Sequence, residues 1–354
     1  MRVWMGTRKG LVGFTQQGDA WVLDRSHFRG TPVALVEHDP TTGRVWAALD
    51  HGHWGQKLHR SDDDGVTWTE VKAPAYPIGL TCSVRGVEKP ASVEAIWALH
   101  ARGDRVWVGT IPGGLFLSAD GGQSFELVRA LWDHPHRAKW FGGGKDSPGL
   151  HSIVVHPHDP ARLWVGVSCG GVYESTDTGA SWVPRNKGMR ADFLPQEHPE
   201  VGLDPHRVVQ CPAHPEVLWQ QNHCGVYRST DAGESWVEVS QGDVDFGFGV
   251  VAHPTDPDRA WVLPAESDDC RMTLGGRLQV YTTSDGGESW TAQRTGLPQA
   301  NAHDLVYRHA LDGDGRVLAF GSTTGNAYVS VDGGDSWACL SNHLPPIYSV
   351  FVAP

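Results

Sequence analysis

Three histidines recur at one place in an internal repeat: His151, His206 and His303 each open a predicted strand, and Glu94 opens another. Imidazoles and a carboxylate converging on one cavity are the donor set of a divalent transition-metal site for Zn, Fe or Mn. Such a metal would activate water or polarise a substrate oxygen. His223, in Asn222-His-Cys-Gly225, comes from a neighbouring loop and is a fifth candidate ligand. Glu94, His223 and Asp245 are the candidate proton-transfer residues, since a general base must stand within hydrogen-bond reach of the proton that it takes. Arg8, Lys9, Arg137, Arg190 and Arg271 lie in loops expected around the same mouth. A guanidinium fork there would grip a carboxylate or phosphate. With Trp54, Trp140, Asp192, Asn222 and Tyr348 they make up the candidate substrate-binding set. The competing arrangement is a narrow polar channel in which the histidines hydrogen-bond to backbone and water.

These positions are defined by a repeat. The pattern Ser/Thr-x-Asp-x-Gly-x-x-Trp/Phe starts at Ser61, Ser118, Ser175, Ser229, Thr283 and Ser330, at spacings of 57, 57, 54, 54 and 47 residues. A period of that length holds one supersecondary unit. The pattern reads as a turn: a strand ends at the Ser, the Asp caps backbone amides, the Gly supplies a positive φ, and the Trp opens the next strand. Each unit contains four short runs rich in β-branched and aromatic residues, separated by Gly, Pro and Asp. In the unit from His151 these are 151–157, 162–167, 171–175 and 181–184, labelled A to D. The same order is expected from Val33, Ala95, Val208, Gly249 and Leu305. Of 16 tryptophans, six fall at one position of strand B (Trp4, Trp46, Trp107, Trp164, Trp219 and Trp261) and five close a turn, so the repeat accounts for most of them as core.

The chain ends complete the count. Residues 2–24 supply only strands B, C and D, and residues 347–354 match strand A. The C-terminal strand is therefore expected to pair into the N-terminal sheet. That makes an all-β, seven-bladed β-propeller in one domain of residues 1–354, a radial repetition that leaves few exposed strand edges.

With these residues in view, the chain resembles the Asp-box (BNR-repeat) propellers. Gly6-Thr-Arg-Lys-Gly10, Leu150-His-Ser-Ile-Val154, Arg190-Ala-Asp-Phe-Leu194 and Gln220-Gln-Asn-His-Cys-Gly225 resemble a bacterial branch labelled sialidase-like or glycosyl hydrolase-like. The resemblance implies a hydrolase-like enzyme acting on a small polar, anionic or glycoside substrate in the funnel of the propeller. The alternative within the same group is a non-catalytic scaffold that binds a protein or glycan. Phe28-Arg-Gly-Thr-Pro32 keeps the Phe, Arg and Pro of a sialidase segment but alters its middle, and seven units stand against the six blades of sialidases. Sialic acid cleavage is therefore not the expected activity.

Composition bounds the partners. The net charge of −12 argues against a nucleic acid. No apolar run approaches the roughly 18 residues of a membrane span. Met1-Arg-Val-Trp-Met-Gly6 reads as a strand rather than a leader, and the six cysteines show no C-x-x-C spacing. The expectation is a cytoplasmic protein with reduced thiols.

Overall fold

The computed structural model describes residues 1–353; Pro354, the last position of the expected closing segment, lies outside the described residues. Among the described residues the chain forms seven four-stranded sheets and a separate two-stranded hairpin, Thr81–Val84 with Val87–Pro90. Helix is confined to one turn at Arg129–Trp132 and three short 3-10 segments. The fold is an all-β, seven-bladed β-propeller. The unit that begins near His151 is representative: Leu150–Val155, Leu163–Val167, Gly171–Ser175 and Val183–Pro184 pair in that order.

One sheet departs from sequence order. Arg2–Thr7 pairs with Gly10–Gln17 on one side and antiparallel with Ile347–Ala353 on the other, with Arg2 opposite Ala353 and Thr7 opposite Ile347. The expected closure by the C-terminal strand is thus present.

The chain divides into two compact units, residues 1–33 with 206 onward, and residues 34–205. The first holds the closing sheet and the three sheets built after His206. The second holds three sheets and the hairpin. Both use the same packing device. The six strand-B tryptophans are almost wholly buried. In the second unit Trp46 lies against the turn of the following sheet, where a Cβ on Gly122 would come within 2.4 Å of the indole. Arg60 stands over Trp46, 5.9 Å from the ring centroid, and donates to the Gly121 carbonyl at 2.8 Å. In the first unit Trp261 donates from Nε1 to the Gly333 carbonyl at 3.0 Å, under Arg259 at 5.0 Å.

The repeated turn is a closed hydrogen-bond set. Ser175 Oγ accepts from the Gly179 amide at 2.8 Å and donates to Asp177 Oδ1 at 2.8 Å. Asp177 accepts the Ser181 amide at 2.8 Å and its hydroxyl at 2.6 Å. The amide-to-hydroxyl bond recurs at Ser61, Ser118, Ser229, Thr283 and Ser330. Hydrogen bonds to a carboxylate favour its charged form. The Thr67 hydroxyl is the main cause that brings Asp63 from the usual 3.8 down to about 2. The Ser289 hydroxyl does the same for Asp285.

Two sequence expectations are corrected. Strand A of the last unit runs Leu311–Gly313 instead of starting at Leu305. Asp304 is tied to Thr324 and Asn326, and the Ala310 amide turns back to the Tyr307 carbonyl, so the run from Leu305 is not paired as a strand. Glu94 precedes the strand Ala95–Arg102. A bulge between Ile96 and Ala98 puts Trp97 where His151 falls in its own bulge between Leu150 and Ser152. Both strands carry the same bulge, but the strand from Ala95 ends at Arg102 before Gly103, without the proline that follows His156, so counting back from the strand end misassigns the position.

Three outcomes follow from this packing. Deleting residues 347–354 removes a paired strand of the closing sheet and should abolish cooperative thermal unfolding; a sharp transition at the full-length midpoint would show that the strand is dispensable. Gly122→Ala, at φ +85° and facing the Trp46 ring, should cost about 1–3 kcal/mol in urea unfolding, as overpacking does. The Asp63 and Asp285 contributions, arising from lowered pKa values, should be complete above the usual aspartate value of 3.8 and be lost as pH falls through about 2. Acid titration of the melting temperature, compared with Asp63→Asn, measures this.

Candidate functional site

His206 is the second residue of the strand Pro205–Cys211, and it is buried. Its Nδ1 lies 2.6 Å from the Gly247 carbonyl oxygen. A carbonyl only accepts, so Nδ1 carries a proton. His223 follows the strand His214–Asn222 in a tight turn whose Cys224 amide donates to Asn222 Oδ1 at 3.1 Å. The His206 and His223 rings meet edge to face at 5.7 Å.

Aromatic rings frame the pair. Phe248 stacks on His206 with centroids 4.7 Å apart and planes at 17°, and Phe246 sets its ring near-perpendicular to His206 at 5.6 Å and to His223 at 5.5 Å. Both come from the segment around Gly247–Ala252, whose bulge after Gly247 turns these side chains toward the histidines. Arg271 and Arg308 each stand 5.5 Å from the Phe248 ring, and Arg308 Nε donates to the His206 carbonyl at 2.9 Å. Asp268 Oδ2 is 3.9 Å from His223 Nε2. Asp204, two residues before His206 in sequence, belongs to the other unit, where its Oδ1 accepts from Ser168 Oγ at 2.8 Å and from the Cys169 amide at 3.0 Å.

The sequence-selected residues therefore distribute unevenly. His206 and His223 come together with Arg271, and Phe246 and Phe248 wall them. Asn222, fully buried, holds the His223 turn from behind. Asp245 is exposed, and its carbonyl accepts from Gln221 Nε2 at 2.8 Å. His303 is exposed in the loop before Leu311. Arg8 and Lys9 are exposed at a hairpin tip in the same unit, and Tyr348 is half-buried at the bulge of the closing strand. The remaining candidates belong to the other unit. There His151 is buried, with Nδ1 2.8 Å from Ser152 Oγ and its ring edge-on to Trp97. Glu94 is exposed, and its carbonyl accepts from Gln56. Trp54 is exposed in a short 3-10 turn, Arg190 pairs with Asp192, and Trp140 is buried and bonded to Tyr173. Arg137 stacks on Trp132.

Arg308 is the member that residue counting did not single out for a role, and it had no local signal, because a turn before the strand Leu311–Gly313 places it.

Comparison with known proteins fits this architecture. The family model described as Sortilin-Vps10 (sortilin, neurotensin receptor 3) matches residues 224–348. The oligoxyloglucan-reducing end-specific xyloglucanase of Emericella nidulans is 26% identical over 206 residues, which are 56% of this chain and 24% of the relative. A probable enzyme of the same description from Neosartorya fischeri is 28% identical over 199 residues, 53% of this chain and 20% of the relative. The chain thus spans a quarter or less of the length of these relatives. Among solved structures, an ancestral GH74 enzyme superposes with a TM-score of 0.60 at 15% identity, over 99% of this chain and 39% of that one. YCF48 from Cyanidioschyzon merolae superposes at 0.54 and 14% identity, over 94% of this chain and 88% of that one. The chain is thus similar in sequence to part of these xyloglucanases and shares the propeller fold of the solved structures. Among the described residues no helix is long and apolar enough to cross a membrane.

Proposed function

We propose that this propeller is a hydrolase-like enzyme acting on a small polar or anionic glycan, with its reacting centre at His206 and His223. The observation that carries the reading is the 2.6 Å bond from His206 Nδ1 to the Gly247 carbonyl. A histidine held through one nitrogen by a backbone carbonyl is oriented as metal-binding histidines are, with the other nitrogen as the ligand. His206 and His223 fit a divalent ion in donor type, and Zn, Fe or Mn would suit two imidazoles. When bound, such an ion would supply Lewis acidity toward a substrate oxygen or a water.

The protein's own groups have separate tasks. Phe246 and Phe248 exclude water from the histidines, which strengthens every charge interaction there. Arg271 and Arg308, beside Phe248, orient an anionic group of the substrate. Asp268, beside His223, is the carboxylate positioned to receive a proton or to hold the His223 ring, a task for which Glu94 and Asp245 were the sequence candidates. The reading extends to a cytoplasmic location, in keeping with six cysteines that are all free thiols.

Calorimetric titration of the chelator-treated, full-length protein with Zn²⁺ tests the centre. One saturable site is expected, weakened about 10–100-fold in His206→Gln and in His223→Gln. Release of reducing ends from xyloglucan oligosaccharides should be lost in His223→Gln. A wild-type protein that takes up no Zn²⁺, Mn²⁺ or Fe²⁺, or variants that bind like wild type, would sink the metal centre.

A further inference from the structure

In the second unit Arg137 is a cation with half of its donors uncommitted. The short 3-10 turn Pro135–Lys139 presents it, and the turn is pre-set by Pro135 and by the His134 side chain accepting from the His136 amide. The guanidinium carbon lies 3.4 Å from the Trp132 ring centroid and 5.6 Å from that of Trp140. Both indoles are buried, so they fix the plane of the guanidinium. Nη1 donates to the Gly113 carbonyl at 2.9 Å. Asp133, the carboxylate whose charge reaches Arg137, is held on both oxygens by Arg129 at 2.9 Å each.

The Nε and Nη2 donors of Arg137 make no protein hydrogen bond, and neither is sealed from solvent. Burial pulls the group down to about 10, so it remains a cation at neutral pH. A half-buried guanidinium with one neutral acceptor is under-compensated, because charges withdrawn from water are normally paired. Nε–H and Nη2–H are coplanar and parallel, the geometry that meets both oxygens of a carboxylate side-on. A tetrahedral dianion such as phosphate would call for a second cation, and Arg129 is already neutralised by Asp133.

We propose that Arg137 is a carboxylate-binding site, with the Nε/Nη2 edge as the recognition fork and the Trp132 stack and the Gly113 carbonyl as its rigid mount. The ligand class is a small carboxylate, and an acidic sugar such as a uronic acid combines that group with a glycan. This site is made of residues other than those of the histidine centre and stands independently of it.

Calorimetry of the full-length protein at low ionic strength with glucuronate, acetate and neutral glucose decides the matter. Glucuronate and acetate should bind at one saturable site and glucose should not. Arg137→Lys, which keeps the charge but loses the fork, should bind glucuronate about tenfold or more weakly, as loss of a charged hydrogen bond does. Arg137→Gln should do the same, with thermal melting as the check on folding. Should either variant unfold, the wild-type protein still decides: acetate must compete with glucuronate, and glucuronate must perturb the fluorescence of the tryptophan stacked on Arg137. No carboxylate binding by wild type, equal binding of glucose, or a folded Arg137→Lys protein that binds like wild type would each overturn the assignment.

Discussion

At Trp46 and at Trp261 a buried indole lies against turn backbone free of side chains. The strand-B tryptophan of one sheet lies under the glycine of the next sheet's turn, with an arginine closing the stack. At Trp46 the glycines are Gly121 and Gly122, and at Trp261 they are Gly333 and Gly334. A side chain at Gly122 would occupy the space of the indole. The turn must therefore place its backbone, and nothing else, against the ring. This constraint explains why the turn is more uniform than the loops around it: it is a packing surface as well as a reversal of the chain.

The turn's aspartate serves that packing at one remove. Its carboxylate gathers a hydroxyl and an amide from the residue four positions on, and the turn hydroxyl binds the glycine amide. These bonds satisfy donors that a tight turn would otherwise leave to solvent, and they hold the glycine where the neighbouring indole requires it. The depressed aspartate pKa values are a by-product of the same hydrogen bonds. A group so committed to its own turn is a poor candidate for catalysis, and the chemistry-bearing residues lie elsewhere, in segments that the repeat does not constrain.

Those segments are the strand starts and the loops leading into them. A bulge at the start of a strand lets one side chain leave the alternation of the sheet. The bulges at Ile96–Ala98, Leu150–Ser152 and Gly247–Val250 place Trp97, His151 and Phe248 in this way. The environments then diverge: His151 packs against Trp97, whereas His206 is stacked on Phe248 and held by the Gly247 carbonyl. Equal positions in a repeat thus carry a packed histidine in one place and an oriented one in another. Arg137 shows the same independence, since its setting comes from an insertion between repeats.

The propeller was legible in the sequence because its determinants are local and repeated: a turn grammar, a tryptophan at a constant offset, and a strand A missing at one end and present at the other. Each is set by hydrogen bonds or burial within a few residues, and repetition makes the signal additive. The buried tryptophans and the closing pair of Arg2–Thr7 with Ile347–Ala353 followed from that reading. The histidine pair was also within reach, since His206 and His223 flank neighbouring strands of one unit. Glu94 and His303 were misplaced for physical reasons: the strand from Ala95 closes on Gly103 where the run from His151 closes on a proline, and the bonds of Asp304 to Thr324 and Asn326 hold the segment after His303 out of the sheet. Which histidine is packed and which is held by a carbonyl, which carboxylate reaches His223, and which edge of Arg137 is uncommitted were decided only by tertiary structure. Each depends on contacts between segments tens of residues apart, and no spacing along the chain encodes them.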